Sequence, residues 1–335
     1  MLLLDNVLAR TGVPVQWIKP GIASIALENA GCPLLPTQIA EALPPAALAG
    51  MWGAVVPAAL EPNTPYQPFP TTPLVALVKQ MQERERCEWV RETLDTGSLF
   101  SVFQPIVDTH GNVFGYEALM RARDVRTGAV IGAGTLMEAC QTLELQHVLD
   151  QRARGAALHS AARNGLRQGR LFINFLPNTI YDPRICLQTT WEAAVAHEIE
   201  PSRLVFEVVE TEQIPDLARL KRILDYYRSC GAATAIDDMG AGFSSLRYIE
   251  ELRPNFVKVD REIVAGAVHN ETTCARFAAI IAGARSVGAC VVAEGIETEA
   301  QMAVSLSLGV DLLQGHLFAE AAATPGPIHS TVFNP

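Results

Sequence analysis

From residue 98 onward, short apolar runs alternate with longer segments of helical periodicity. Eight runs have the length of buried strands and lie at 100–107, 115–120, 171–175, 204–209, 232–236, 256–259, 290–293 and 310–313. Helical spacing lies between most of them, at 136–149, 151–166, 216–230, 272–287 and 298–308. Glycines follow several of these helical segments, as C-terminal caps do, at Gly169, Gly231, Gly288 and Gly309.

Eight strands joined by helices predict a parallel sheet, and their number matches an α/β barrel of the TIM (β/α)8 type. A doubly wound open sheet is the alternative fold. Against it, no Gly-x-Gly-x-x-Gly motif follows the first strand, which weakens a dinucleotide-binding interpretation. We expect the barrel domain to occupy residues 98–325.

The first 72 residues follow neither pattern. Twelve of the 21 prolines lie before Leu74, and the proline-rich run 61–70 is typical of an extended linker. Between Leu74 and Gly97, apolar residues at helical spacing predict one amphipathic helix. That connecting helix, placed at 73–97, is either a plain connector or a transmitter of a signal into the barrel. For residues 1–72 we predict a segment of unknown fold that regulates activity or assembly.

Composition limits the classes of function. With 49% hydrophobic and 19% charged residues, the 335-residue chain can bury a sizeable core. Its net charge of −10 argues against a nucleic-acid polymer as main partner, because phosphate backbones need a basic footprint. A small phosphate ligand remains compatible, since bound cations can supply the positive charge.

Sequence features also indicate the compartment. Seven scattered cysteines without a Cys-x-x-Cys pair predict reduced thiols. The N-terminus lacks the pattern of a signal peptide. The uncharged stretch 42–60 is a candidate membrane span, but its three prolines favour a soluble segment. We therefore expect a cytoplasmic protein without a membrane partner.

Polar side chains recur where the predicted strands end. They comprise acids, amides and one lysine, at Glu117, Asn174, Glu207, Glu210, Asp237, Asp238, Lys258, Glu294, Glu297 and Gln314. The C-terminal ends of barrel strands meet on one face, where barrel active sites are assembled. Any one of these residues in isolation could be a helix cap or part of a surface ion pair. The series in register predicts a site.

Oxygen ligands dominate this series. Buried carboxylates without partners cost several kcal/mol each, so they must pair, protonate or hold a metal. The absence of a convergent His or Cys set indicates a hard divalent ion, Mg²⁺ or Mn²⁺. The adjacent Asp237 and Asp238 suit a bridging position between two ions.

Two further features are weaker evidence of a functional site. His316 follows the last predicted strand, whereas His147, His159 and His197 lie in helical stretches. The glycine-containing loop 239–245 is either a movable lid or a tight strand-to-helix turn.

Together the residues resemble a known family, the EAL domain of bacterial cyclic di-GMP phosphodiesterases. The matches occur in family order, from about residue 100 to 318: Gln104-Pro-Ile, Glu117-Ala-Leu119-Met-Arg121, Asn174-x-x-Pro177, Glu207-Val-Val-Glu210, Asp237-Asp238-Met-Gly240 with Gly242-Phe-Ser-Ser245, Lys258-Val-Asp260, Glu294-Gly-Ile-Glu297 and Gln314-Gly315. The resemblance implies a modified (β/α)8 barrel with one antiparallel strand, commonly assembled as a homodimer.

The resemblance also implies roles for individual residues. Glu117, Asn174, Glu207 and Asp237 would hold a first metal ion, and Asp237 and Asp238 a second, either Mg²⁺ or Mn²⁺. Lys258 would orient the attacking water, and Glu294 would act as general base, directly or through a metal-bound water. Gln104, Leu119, Arg121 and Gln314 would bind substrate, and Gln314 would also support the site. The remaining supporting and loop residues would be Glu210, Glu297, Gly240 and Ser244.

The implied reaction is metal-dependent cleavage of cyclic di-GMP to linear pGpG. The sequence departs from the family pattern at Leu176, Val209, Met239, Ala241, Phe243, His316 and Ala321. None of these is a proposed metal ligand or the base. Several cluster after Asp238, so loop ordering and rate are the properties they would affect. A catalytically silent receptor or scaffold for cyclic di-GMP and an unrelated metal-dependent barrel hydrolase are the alternative functions.

Overall fold

The computed structural model describes residues 15–19, 22–25, 52–53, 72–209, 216–240, 246–328 and 333. The chain divides into two compact units, Met1–Val90 and Arg91–Pro335. In the first unit, β1 (Val15–Lys19) pairs antiparallel with β2 (Ile22–Ile25), and β3 (Trp52–Gly53) pairs antiparallel with β4 (Thr72–Pro73). Most of residues 1–72, including most of the stretch 42–60, lies outside the described residues. The regulatory role of this segment stays a prediction.

The segment between Leu74 and Gly97 forms two helices, so the prediction of one helix is wrong. They are α1 (Leu74–Cys87) and α2 (Trp89–Asp95). At the junction, the Glu88 amide donates to the Glu85 carbonyl, three residues back rather than four. This tighter turn interrupts the α-helical ladder.

The second unit is built on a closed barrel of eight strands. They are β5 (Leu99–Asp108), β6 (Val113–Arg123), β8 (Arg170–Asn174), β9 (Leu204–Val209), β10 (Ala233–Met239), β11 (Phe256–Val259), β12 (Cys290–Ala293) and β13 (Leu312–Gln314). Only β5 runs antiparallel to both of its neighbours, β6 and β13, and the other neighbouring pairs are parallel. A ninth strand, β7 (Val130–Gly132), extends the sheet from β6. The predicted barrel with one antiparallel strand is confirmed.

Nine further helices are described in this unit. They are α3 (Ala133–Thr142), α4 (Gln146–Arg163), α5 (Pro183–Cys186), α6 (Gln188–Ala196), α7 (Leu217–Ser229), α8 (Leu246–Leu252), α9 (Arg261–Ala267), α10 (Glu271–Ser286) and α11 (Glu299–Leu308). Among the described residues, no helix combines the length and apolar character needed to cross a bilayer.

Helix boundaries depart from the sequence prediction in one region. The break expected near residue 150 falls between α3 and α4, where Glu144 has a φ of 60° that cannot continue a right-handed helix. Gly165, with a φ of 71°, follows α4 in place of the expected Gly169. Gly231, Gly288 and Gly309 follow their helices with positive φ, as predicted.

The barrel strands bury apolar side chains on both faces. Their outward residues pack with the helices in one large cluster, as Ile173 on β8 and Val257 on β11 do. Their inward residues form a second apolar cluster, contributed by Ile106, Phe172, Val205, Ala233, Ala235, Phe256, Val292 and Leu312. Phe172 and Phe256 meet across the barrel with ring centroids 5.2 Å apart. We call this second cluster the interior plug.

Candidate active site

Most of the predicted polar residues lie directly above the interior plug. Side chains two positions apart on a strand point to the same face. Six site residues follow a plug residue by two positions: Asn174 after Phe172, Glu207 after Val205, Asp237 after Ala235, Lys258 after Phe256, Glu294 after Val292 and Gln314 after Leu312. On the antiparallel β5, Gln104 instead precedes Ile106 by two positions. Strand periodicity therefore aims these side chains into one volume at the C-terminal end of the parallel strands.

The Lys258 ammonium is the centre of this cluster. Its Nζ lies 2.6 Å from Glu294 Oε1, 3.0 Å from Glu207 Oε1, 3.0 Å from Asp237 Oδ1 and 3.3 Å from Glu117 Oε2. The lysine side chain is 1% exposed and that of Glu207 is fully buried. One ammonium therefore faces four carboxylates in a volume largely removed from water.

Amide side chains hold Glu117 in place. Asn174 Nδ2 donates to Glu117 Oε1 at 3.1 Å, and Gln314 Nε2 donates to Glu117 Oε2 at 2.7 Å. Gln314 Nε2 also lies 3.1 Å from Gln104 Oε1, and Gln104 Nε2 donates to the Ala319 carbonyl at 3.3 Å. The glutamate from β6 is thereby fixed by side chains from β5, β8 and β13.

Burial and mutual repulsion control the charge of the carboxylates. Burial raises the pKa of Glu207 well above its usual range, and Glu117 and Asp237 add to the rise while Lys258 opposes it. The pKa values of Asp237 and Glu294 are also raised, first by burial. Glu117 is the exception: burial opposes its ionisation, but Lys258, Gln314 and Asn174 lower its pKa below the usual value.

Lys258 itself remains charged. Burial alone would lower its pKa, but the carboxylates around it, led by Asp237 and Glu117, raise that pKa well above the usual value. A single positive charge cannot balance four carboxylates, so the cluster needs either protons or a further cation to be fully neutral.

The donor set fits divalent metal ions. Carboxylate oxygens of Glu117, Glu207 and Asp237 all lie within 4.8 Å of one another, and so do those of Asp237, Asp238 and Glu294. Asp237 belongs to both groups and is therefore placed to bridge two ions. Buried Glu207 Oε2 and Asn174 Oδ1 have no hydrogen-bond donor among the described residues, and an unpaired buried oxygen is costly. Oxygen-only donors of this kind suit Mg²⁺, Mn²⁺ or Ca²⁺.

Asp238 occupies a special backbone position. Its φ of 55° lies in the left-handed region, and its amide donates to Asp237 Oδ1 at 3.0 Å. Partial burial, followed by the charges of Asp237 and Asp260, raises the pKa of Asp238 to about 6. Sequence reasoning gave Asp260 no role, although it lies one residue past β11, where the strand-end rule would have found it.

We expect the affinity of the protein for Mn²⁺ to increase with pH through about 6. Below that value the folded protein holds a proton on Asp238, and a cation must displace it to reach the carboxylate. The raised pKa values of Asp237, Glu207 and Glu294 act in the same direction. Calorimetric titration of metal-free protein with Mn²⁺, between about pH 5 and pH 8, measures the effect. An affinity independent of pH would exclude Asp238 as a ligand.

The other predicted site residues lie at different places. Leu119 and Arg121 are half-buried on β6, and Arg121 donates to the Met120 carbonyl at 2.8 Å. Gly240 is buried with a φ of 106° against Ile263.

Glu297 and His316 are exposed. The Glu297 amide donates to Gln301 Oε1 as part of the α11 cap, so the structure does not place its side chain in the cluster. Glu210, Ser244 and loop residues 241–245 lie outside the described residues. The alternative interpretations of the loop as lid or turn therefore stay open.

The fold and these residues together define an α/β-barrel protein with a candidate divalent-metal centre at the C-terminal end of its strands. The family model of the EAL domain matches residues 87–321. The chain belongs to the EAL domain family, which confirms the resemblance found in the sequence.

Curated relatives include two from Pseudomonas aeruginosa. The bifunctional diguanylate cyclase/cyclic di-GMP phosphodiesterase MucR is 30% identical over 234 residues, which cover 68% of this chain and 34% of MucR. The cyclic di-GMP phosphodiesterase RocR is 29% identical and is covered over 58% of its length. This chain therefore spans about a third of MucR and more than half of RocR.

Solved structures show the same barrel. A standalone EAL protein from Vibrio cholerae in its c-di-GMP-bound form superposes with a TM-score of 0.62 at 31% identity, covering 71% of this chain and 98% of that one. A manganese/c-di-GMP complex of BlrP1 from Klebsiella pneumoniae has a TM-score of 0.63 at 26% identity, covering 76% of this chain and 67% of that one.

Proposed function

We propose that this protein hydrolyses one phosphodiester bond of cyclic di-GMP to give linear pGpG, using two divalent metal ions, Mg²⁺ or Mn²⁺. The observation that carries the proposal is the convergence of four carboxylates on Lys258. Beside them, buried Glu207 Oε2 and Asn174 Oδ1 have no hydrogen-bond donor among the described residues. Relatives named as cyclic di-GMP phosphodiesterases and structures of c-di-GMP complexes support the choice of substrate.

The metal ions would be held by two overlapping sets of residues. Glu117, Asn174, Glu207 and Asp237 form the first set, and Asp237 and Asp238 the second. Divalent ions at such a centre supply charge neutralisation at the phosphate and acidify water. The charge of Lys258 and the hydrogen bonds from the Gln314 and Asn174 side chains lower the pKa of Glu117 against burial, and the two hydrogen bonds also orient its carboxylate.

Other residues of the chain act on water and substrate. Lys258 would orient the attacking water and stabilise negative charge developing on the phosphate. Glu294 is the base in this proposal: burial, and then the charge of Asp237, raise its pKa above the usual value, and a higher pKa makes a carboxylate a stronger proton acceptor. Gln104, Leu119, Arg121 and Gln314 would contact the substrate, Arg121 through its phosphate.

We expect purified protein with Mn²⁺ to convert cyclic di-GMP to pGpG, followed by chromatography. The Glu294→Gln variant should lower kcat by about 10²–10⁴-fold, the usual contribution of a general base, while still binding cyclic di-GMP. Glu320→Gln, at an exposed position on the loop after β13, is the control for a glutamate outside the cluster. Tight binding without product from the unaltered protein would contradict hydrolysis and favour the receptor alternative. If the unaltered protein neither binds cyclic di-GMP nor forms product, the hydrolase and the receptor interpretations are both contradicted.

The proposal extends to the location and assembly of the protein. We place the protein in the cytoplasm as a homodimer, with residues 1–72 regulating activity or assembly. The family resemblance supports the homodimer, the compositional break near residue 75 supports the regulatory role, and the scattered cysteines without a Cys-x-x-Cys pair support the cytoplasmic location.

A further inference from the structure

A buried ion pair lies away from the strand-end cluster, on helix α4. Asp150 and Arg154 are one helical turn apart, 5% and 1% exposed, and bonded to each other. The reaction proposed above uses neither residue. A buried ion pair is weak evidence for stability, because desolvation of both charges offsets their attraction. The other contacts of the pair are therefore the better guide to its role.

The Asp150 carboxylate binds the turn that follows β8. Its Oδ1 accepts a hydrogen bond from the Leu176 amide at 2.8 Å, and its Oδ2 lies 2.8 Å from the Thr179 hydroxyl. That hydroxyl is also 2.7 Å from the Leu176 carbonyl. Both oxygens of one buried acid thus hold a single turn, residues 175–179.

A second anchor reaches the turn from α7. Arg219 donates to the Asn178 carbonyl inside the turn at 3.4 Å and to the Ile180 carbonyl just after it at 2.8 Å. On the sheet side, the Phe175 amide donates to the Glu207 carbonyl at 3.0 Å. The turn is therefore fixed by α4, α7 and the neighbouring strand, which leaves its backbone little freedom.

Asn174 is the residue that this anchoring controls. It is the last residue of β8 and lies two positions before Leu176. Its Nδ2 donates to Glu117, while its buried Oδ1 has no donor within the part of the chain that the structure describes. A small rotation of the turn would move this oxygen relative to the Glu207 carboxylate, whose residue lies opposite Asn174 in the sheet.

We propose that Asp150 is a positioning residue for the metal centre, which fixes turn 175–179 so that Asn174 Oδ1 is presented to the first divalent ion. This inference rests on the proposed metal-dependent function. Side chains that orient metal ligands in this way are typically worth about 10–100-fold in metal affinity or activity. Arg154 supports the role by keeping Asp150 paired inside the protein.

The chain offers a matched pair of substitutions around this ion pair. Thr179 contacts Asp150 from the turn, and Thr190 on α6 accepts a hydrogen bond from Arg154 Nε at 3.0 Å. Thr179→Val and Thr190→Val make the same change of side chain on opposite sides of the pair. Only the first loosens the turn that carries Asn174.

The experiment measures Mn²⁺ affinity by calorimetry and thermal stability without metal, for both variants and for Asp150→Asn. We expect Thr179→Val to bind Mn²⁺ about tenfold more weakly and Asp150→Asn up to about 100-fold more weakly. Thr190→Val should lose stability but keep its affinity within about twofold.

The outcomes distinguish the positioning role of Asp150 from the proposed metal-dependent function. Thr179→Val with unaltered Mn²⁺ affinity overturns the positioning role, even if Asp150→Asn fails to fold. Equal weakening in Thr179→Val and Thr190→Val also overturns it, because the pair would then act only through stability. Absence of Mn²⁺ binding by the unaltered protein would instead overturn the proposed metal-dependent function.

Discussion

Replacing Glu207 by glutamine is expected to abolish hydrolysis while making the metal-free protein more stable. Glu207 is fully buried, and its pKa is raised well above the usual value, first by burial. An acid whose folded-state pKa exceeds its unfolded value contributes stability only at low pH and loses it as pH rises through the folded value. A neutral amide of nearly the same shape removes that cost.

The effects on stability and on catalysis have separate causes. Because ionised Glu207 is disfavoured in the folded protein near neutral pH, Tm without metal should rise in the variant, and for a domain of this size each kcal/mol of added stability raises Tm by about 2–4 °C. Loss of a metal ligand should reduce kcat by more than about 10²-fold, since even residues behind the ligands cost 10–100-fold. Differential scanning calorimetry and a pGpG assay measure the two quantities.

The control for this variant is Glu192→Gln on the exposed face of α6. That change should move neither Tm nor kcat appreciably. In Glu207→Gln, the increase of Tm on adding Mn²⁺ should also be smaller than in the unaltered protein, because a ligand that binds only the folded state stabilises it. A fall in Tm without metal would show that Glu207 is held favourably ionised, contrary to the electrostatics described above.

Replacing Lys258 by methionine is expected to have the opposite effect on stability and the same effect on catalysis. The ammonium contacts four carboxylates, and removing one partner of a buried ionic cluster typically costs about 3–5 kcal/mol. For a domain of this size that corresponds to a fall in Tm of about 6–20 °C. Hydrolysis should be lost because neither water nor phosphate is then oriented.

The pH dependence distinguishes this mechanism from simple loss of packing. Without Lys258 the carboxylates are ionised less readily, so their repulsion is relieved by protonation at low pH and grows as pH rises. The stability deficit should therefore be larger near pH 8 than near pH 6, and Mn²⁺ should recover part of it. Lys221→Met removes an exposed lysine 3.6 Å from Asp225 and should change stability by less than about 1 kcal/mol. A deficit that does not vary with pH would assign Lys258 to packing alone.

Much of the barrel could be predicted from the sequence because each strand is short, apolar and ends in a polar residue. The runs at 204–209, 256–259 and 290–293 coincide with β9, β11 and β12. The continuous apolar character of these strands arises because both their faces are buried. The same burial makes the polar residue at each strand end conspicuous in the sequence.

The features that could not be predicted depend on backbone geometry and on distant contacts. Nothing local distinguishes Glu144, whose positive φ separates α3 from α4, from other glutamates in helical stretches. Glu297 follows β12 as Glu294 does, yet its side chain is exposed because residues 294–297 leave the strand and turn into α11. Asp150 falls at the break that the sequence predicted but lies inside α4, and its hydrogen bond to the Leu176 amide, 26 residues away, depends on the fold.

The reversed direction of β5 determines where the polypeptide enters the barrel. Because β5 runs against its neighbours, its first residue, Leu99, lies on the side of the sheet where the parallel strands end. From there to Gln104 the chain covers about 17 Å of extended strand. The returning chain after β13 pairs Ala322 with Phe103 along the same stretch. The chain therefore enters the barrel on the side of the strand-end cluster, and β5 leads from that entry point directly to Gln104, which contacts Gln314.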